Sequence, residues 1–300
     1  MRTPAKISVS AAAALFLLAS GASAADGGRL DAFLNGLSGK LDLSRAGISI
    51  VDLRDPAAPR RGGWHDKEIR PAASVIKLNL LAGAYNAVQN GLTFGAEIKI
   101  MKNNWTGTWN PEEEGIDDPN PPIKLGETWT LGKLTEVMIR RSDNVAANTL
   151  MDFLDRKTVT SFVQSAGLAS TYVRHKLSSG TDVADPDATG YNQMPPYDAA
   201  TLLMLVAQGK LVSQEASERM YATLSGQLDR ELIAAALPED AVYAGKTGEL
   251  SAARNDASII KAPGREYVLV IYVQLPGPQA KPLIKAVAGA VDDFFRTAGY

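Results

Sequence analysis

Residues 71–91 read Pro-Ala-Ala-Ser-Val-Ile-Lys-Leu-Asn-Leu-Leu-Ala-Gly-Ala-Tyr-Asn-Ala-Val-Gln-Asn-Gly, with apolar residues at Val75, Leu78, Leu81, Ala82, Tyr85 and Val88. That spacing is the period of a buried helix, opened by Pro71 and closed by Asn90-Gly91. Its first turn contains Ser74-Val-Ile-Lys77, and the same spacing recurs as Ser258-Ile-Ile-Lys261. Helix positions i and i+3 share a face, whereas strand positions i and i+3 point to opposite sides. Ser258 and Lys261 lie in an apolar, β-branched run, so the second copy reads as a strand coincidence with Lys261 solvated at the strand end. Ser74 and Lys77 share a helix face at a helix start, where unpaired N–H groups and the positive end of the dipole favour a developing oxyanion. The motif alone is weak, since about one Ser-x-x-Lys is expected by chance in a chain of this size.

Working outward, a helix is expected over Leu30 to Leu37 and a strand over Ala46 to Leu53, with a turn from Arg54 to Gly63. Residues 105–128, rich in Trp, Pro, Gly and acidic residues, read as a long irregular loop. Helical patterns follow at Leu131 to Ile139, Asn144 to Leu154, Thr158 to Ser165, Pro196 to Gln208 and Ser213 to Leu224, with a loop over 174–196. Strands are expected at Val242 to Gly245, Ala257 to Lys261 and Tyr267 to Val273, the last two joined through Gly264-Arg265, before a helix from about Pro282 to Phe295. The expected class is α/β, an α+β sandwich. One antiparallel sheet is assembled from both chain ends, flanked by helices, and carries an inserted all-helical subdomain. The α/β subdomain would take about 25–70 and 225–300 and the helical one about 71–224, with a ligand cleft between them.

Composition narrows the chemistry. The 300 residues carry a net charge of −2 and no long basic run, which argues against a nucleic-acid partner. Residues 1–24 have a basic start (Arg2, Lys6), a short apolar run from Ala11 to Leu18 and the small-residue site Ala22-Ser23-Ala24, the pattern of a cleavable signal peptide. A periplasmic or secreted protein is expected, with no membrane anchor and a monomeric state. There is no cysteine and only His65 and His175, so thiol catalysis is excluded, a His-rich metal site is not indicated and no cofactor is expected. Chemistry must then rest on Ser, Thr, Lys, Asp, Glu or Tyr.

Two triplets change the weight of Ser74. Ser142-Asp143-Asn144 falls at a loop-to-helix junction, and Lys246-Thr247-Gly248 in a strand after Gly245. Singly, the first reads as a helix cap and the second as a strand end. In this order with Ser-x-x-Lys, however, they resemble the motif set of class A β-lactamases and penicillin-binding proteins. Residues 135–148 are similar to that superfamily's helix running into its Ser-Asp-Asn segment, and 246–256 to its strand and turn. The resemblance covers nearly the whole chain after the leader.

The resemblance implies an exported active-site-serine hydrolase that opens β-lactam amides through an acyl-enzyme. A D,D-carboxypeptidase acting on peptidoglycan stems and a non-catalytic receptor for β-lactams or cell-wall peptides are the alternatives. In each case the partner is a small molecule, a β-lactam or a D-Ala-D-Ala peptide. Ser74 would be the nucleophile, Lys77 its base and Ser142 the relay to the leaving nitrogen, with Lys246 holding that relay. Asn144 would orient Lys77 and bind the substrate amide. Lys246, Thr247 and Arg254 would receive its carboxylate, and the N–H groups of Ser74 and Glu249 its oxyanion. Gly248, like Gly245, fits a strand edge approached closely by a ligand. Trp105 and Trp109 are candidates for the cleft wall, or equally for buried loop anchors. Class A enzymes also carry Glu-x-x-Leu-Asn after the Ser-Asp-Asn helix, whose glutamate activates the deacylating water. Here residues 168–198 contain no glutamate, and the equivalent place falls at Leu177 or Ser178. Asp182, Asp185 and Asp187 are the nearby acidic candidates.

Overall fold

A computed structural model describes residues 24–107, 118–178 and 185–297, with side chains from residue 28. The leader expected over 1–24 lies outside these residues but for its last position, as do Trp109 and Asp182. Five strands form one antiparallel sheet in the order β2-β1-β7-β6-β5. They are β1 (Ala46–Asp52), β2 (Arg60–Trp64), β5 (Val242–Leu250), β6 (Ala253–Ala262) and β7 (Arg265–Val273). Between β2 and β5 the chain forms a short hairpin of β3 (Glu97–Lys99) and β4 (Thr128–Thr130). The helices are α1 (Ala24–Ser38), α2 (Lys77–Gln89), α3 (Leu131–Arg140), α4 (Asn144–Leu154), α5 (Arg156–Ser165), α6 (Pro196–Ala207), α7 (Gln214–Ser225) and α8 (Gly277–Thr297). Among the described residues no helix is long and apolar enough to cross a membrane.

Every residue of β1 is buried, because both faces of the sheet are covered. Residues of one parity, Ile48 and Ile50 with Leu269, Ile271 and Tyr243, pack with Leu34 of α1 and Val287 of α8. Residues of the other parity, Val51, Val268, Val270, Ala257 and Ala244, join the larger core of α2, α3, α4 and α6. Each aliphatic side chain so buried contributes about 1.5–3 kcal/mol. This alternation also settles where charged side chains go: Lys246 has the parity of Ala244 and projects toward the helices.

Three expectations need correction. The helix of Ser74 does not begin at Pro71, which instead bridges Gln193. Ala73 sits at φ +50°, residues 73–76 form a 3-10 turn, and the α-helix starts at Lys77. The turn expected at Arg54 to Gly63 ends in strand β2. Its pattern is hidden by Gly62, where α1 crosses so closely that a Cβ would lie 2.4 Å from Leu30 Cβ, and by Gly63, where a Cβ would meet the Asp66 carboxyl. The hairpin of β3 and β4 was unread because three-residue strands are too short to show a period. Ser258 and Lys261 do diverge: Ser258 Oγ donates to the Leu269 carbonyl at 3.3 Å, while Lys261 pairs with Glu266 at 2.9 Å.

Candidate active site

The 3-10 turn brings Ser74 and Lys77 together more closely than an α-helical turn would. With three residues per turn, i and i+3 eclipse, and the Lys77 N–H donates to the Ser74 carbonyl. The turn is held from the sheet side. Asn255 Nδ2 on β6 donates to the Pro71 carbonyl at 2.7 Å. On the edge strand β5, Gly248 lies flat against the turn, so that a Cβ there would stand 2.9 Å from the Ala72 oxygen and 3.1 Å from the Ser74 nitrogen. Gly248 is therefore required by the approach of two backbones.

Asp143 caps α4, its Oδ1 accepting from the Ala146 N–H at 2.9 Å, which leaves Ser142 free in a left-handed conformation at φ +62°. Lys77 Nζ donates to the Ser142 carbonyl at 2.5 Å, to Ser142 Oγ at 3.1 Å and to Asn144 Oδ1 at 2.7 Å. Lys246 Nζ reaches the same Ser142 Oγ at 2.9 Å and the Thr247 carbonyl at 2.8 Å. One hydroxyl thus lies between two ammonium groups, both on fully buried side chains.

Burial, and after it the neighbouring Lys246 cation, push the Lys77 ammonium well below the ordinary lysine range, against the opposing pull of Asp143. Burial brings Lys246 down to about 7, with Asp229 and Asp256 pulling the other way. Asp256 lies under the strand, accepting from Tyr243 Oη at 2.8 Å and from the Ile233 N–H at 3.0 Å, and burial raises it to about 7. A neutral amine beside a serine hydroxyl can take its proton, which an ordinary lysine at neutral pH cannot.

Ser74, Lys77, Ser142, Asn144, Lys246, Thr247 and Gly248 are thus brought into one cluster. The side chains of Glu249 and Arg254 are instead engaged with each other as a directly opposed cross-strand ion pair. Arg254 also donates to the Leu250 carbonyl at 3.1 Å and lies against Gly277. Asp185 is engaged elsewhere, in a bidentate pair with Arg156 at 2.7 and 2.8 Å, while Asp187 is exposed. Trp105 is half-buried against the larger core, as a loop anchor.

The place expected for a class A glutamate does lie at the cluster. The Ser178 carbonyl accepts from Asn144 Nδ2 at 3.4 Å, and Asn148 exchanges two 2.7 Å bonds with the backbone of Leu177. Asn148 was missed at the sequence level. Its position four residues after Asn144, on the same helix face, was the available signal. Asn255 carried no comparable signal, since its role depends on a segment distant in sequence.

The model of the beta-lactamase enzyme family matches residues 30–295, and the chain belongs to that family. It is 24% identical over 206 residues to "Beta-lactamase 1" of Streptomyces cacaoi, covering 62% of this chain and 63% of that protein. A beta-lactamase of Streptomyces fradiae is 25% identical over 218 residues, covering 72% and 70%. The match thus spans a little under two thirds of the first relative. Among solved structures, PBP-A superposes with a TM-score of 0.75 at 25% identity, covering 89% of this chain and 97% of that one. A beta-lactamase from Sphaerobacter thermophilus shares the fold with a TM-score of 0.74 at 23% identity, covering 88% and 96%.

Proposed function

We propose that the protein is an exported active-site-serine hydrolase that opens β-lactam amides through an acyl-enzyme on Ser74 and releases the acyl group slowly. The observation that carries this reading is the convergence of two buried lysines on Ser142, with Lys77 eclipsed beneath Ser74. Neutral Lys77 takes the Ser74 hydroxyl proton as Oγ adds to the amide carbon. The carbonyl electron pair moves to oxygen, which the N–H groups of Ser74 and Glu249 receive. Collapse re-forms the carbonyl and breaks the C–N bond. The leaving nitrogen takes the Ser142 proton, which Lys77 restores. Lys246 and Thr247 hold the substrate carboxylate; Arg254 would join them by exchanging Glu249 for it. Export rests on the signal-peptide pattern of residues 1–24.

Slow release rests on Leu177 and Ser178, which occupy the place of a carboxylate that would activate water. That feature also supports a second reading, a D,D-carboxypeptidase acting on peptidoglycan stems, for which stable acylation by penicillin is inhibition. The likeness to PBP-A favours it too, since a mutant of that protein is known as an acyl-enzyme complex with penicillin G.

One experiment separates the readings: the purified protein is incubated with a chromogenic cephalosporin, and turnover is followed alongside intact mass. Repeated turnover supports the β-lactamase, and a persistent stoichiometric adduct the peptidase. An adduct undiminished in Ser74→Ala, or none in the unaltered protein, overturns the nucleophile assignment.

A further inference from the structure

Beside Ser142 lies a buried charge that the mechanism above does not use. The Arg141 side chain is fully buried at the end of α3. It donates from Nη1 to the Asn120 carbonyl at 2.9 Å and to Asp118 Oδ2 at 3.4 Å, from Nη2 to the Pro121 carbonyl at 3.0 Å, and from Nε to Asp143 Oδ2 at 3.3 Å. A single planar guanidinium thus ties the loop at 118–121 to Asp143, joining the two residues that flank Ser142. Ser142 between them is held at φ +62°, a left-handed conformation unfavourable for an L-residue that persists only when its surroundings impose it.

We propose that Arg141, locked by Asp118, is a positioning residue that fixes Ser142 between the two lysines and neutralises Asp143 beside Lys77. The inference rests on the reading of Ser74 and Lys77 given above. Two effects follow from the geometry. Without the fork, the turn is free to leave its left-handed state, and Ser142 Oγ moves off Lys77 and Lys246. Without the positive charge, Asp143 acts on Lys77 uncompensated and keeps it protonated to higher pH. The charged groups facing Lys77 are Lys246 from β5 and Asp143 from the cap of α4. Those around Arg141 are Asp118 and Asp143, with Arg140 at 3.8 Å from Asp118 and Glu136 in turn at 4.0 Å from Arg140. Lys133 pairs with Glu136 at 3.0 Å.

The test measures the second-order rate of acylation by benzylpenicillin, by intact mass across pH, in the unaltered protein, Arg141→Met and Arg141→Lys, with thermal melting as a check of folding. Arg141→Met is expected to slow acylation at neutral pH by about 10- to 100-fold, to shift the acid limb of the profile upward and to recover part of the rate as pH rises. Arg141→Lys keeps the charge and loses the fork, so its limb stays in place while its rate falls at least about 10-fold. It carries the test alone if Arg141→Met does not fold. A rate loss in Arg141→Met that is uniform in pH, or an unaltered rate in Arg141→Lys, overturns the proposal. Absence of an adduct in the unaltered protein overturns the proposed function itself, and this inference with it.

Discussion

Lys77 and Lys246 are both lysines, both fully buried and both hydrogen-bonded to Ser142, yet their surroundings separate them. Burial favours the neutral amine of both; the Lys246 cation beside Lys77 adds to that effect, whereas the carboxyls of Asp229 and Asp256 near Lys246 oppose it. This suits the one to remove a proton and the other to attract an anion. Lys246 and Asp256 are each brought to about 7, and as pH rises through that value the pair passes from a net positive to a net negative charge. Whichever group titrates first, attraction for a carboxylate weakens. Acylation by a penicillin bearing a free carboxylate is therefore expected to fall as pH rises through about 7. Acylation by the corresponding neutral ester should be slower and lack that fall. Equal profiles for acid and ester would remove Lys246 from carboxylate recognition.

The elements matter through where they end. Strand β5 is the sheet edge that faces Ser74, and the 3-10 turn places the serine beneath it. In Gly248→Ala the new methyl meets backbone atoms at 2.9 and 3.1 Å, which cannot yield as a flexible side chain would. Acylation is expected to drop by roughly 10²-fold while the protein still folds. Gly289→Ala, whose methyl meets nothing within 4 Å, serves as the control: acylation unchanged, stability higher by up to about 1 kcal/mol. The loop opposite α4 is fixed by Asn148 and by the Arg156–Asp185 pair, so a side chain at 177 has a defined place. Leu177→Glu would put a carboxylate near Asn144, and the adduct is expected to turn over faster. An adduct lifetime no shorter than that of the unaltered protein would show that water activation needs more than this one group.

For the whole molecule, the sheet built from both chain ends is what carries the site, and its two faces are held differently. On the α8 face, Arg265 at the start of β7 donates to Asp292 Oδ1 at 2.8 Å and to Asp240 Oδ1 at 2.9 Å, and Tyr267 Oη adds a bond to Asp292 at 2.9 Å. Removing the cation leaves a buried carboxylate with Tyr267 and only the half-exposed Arg296, at 3.4 Å, to compensate it. Arg265→Met is expected to lower stability by about 3–5 kcal/mol, and Arg265→Met with Asp292→Leu to recover much of that loss, as chemical denaturation would measure. Equal losses in the single and double variants would mean that the pair is not what holds α8 to the sheet.

How much of this was legible depended on how local its cause was. The helical period from Val75 to Val88, the strand character of residues 267–273 and the motif triplets each depend on neighbours within one or two turns, so the antiparallel α+β class is legible in the sequence, while Ser74, Lys77, Ser142 and Lys246 are marked by the family resemblance those motifs carry. Strand β2 escaped because Gly62 answers to α1 and Gly63 to Asp66, and the start of the Ser74 helix lies later than the sequence suggests because Asn255, far along the chain, holds the Pro71 carbonyl. Gly248 reads in sequence as a strand glycine open to a ligand, but the closest approach is made by the protein's own backbone. Arg254 was assigned to a substrate carboxylate by analogy, and only the register of β5 on β6 revealed Glu249 directly opposite. The sequence by itself thus determined the residue types and the order of the motifs, because composition and periodicity are properties of the chain. Only the tertiary structure decided that one serine hydroxyl lies between two dehydrated lysines, because desolvation and charge coupling exist only once distant segments have packed together.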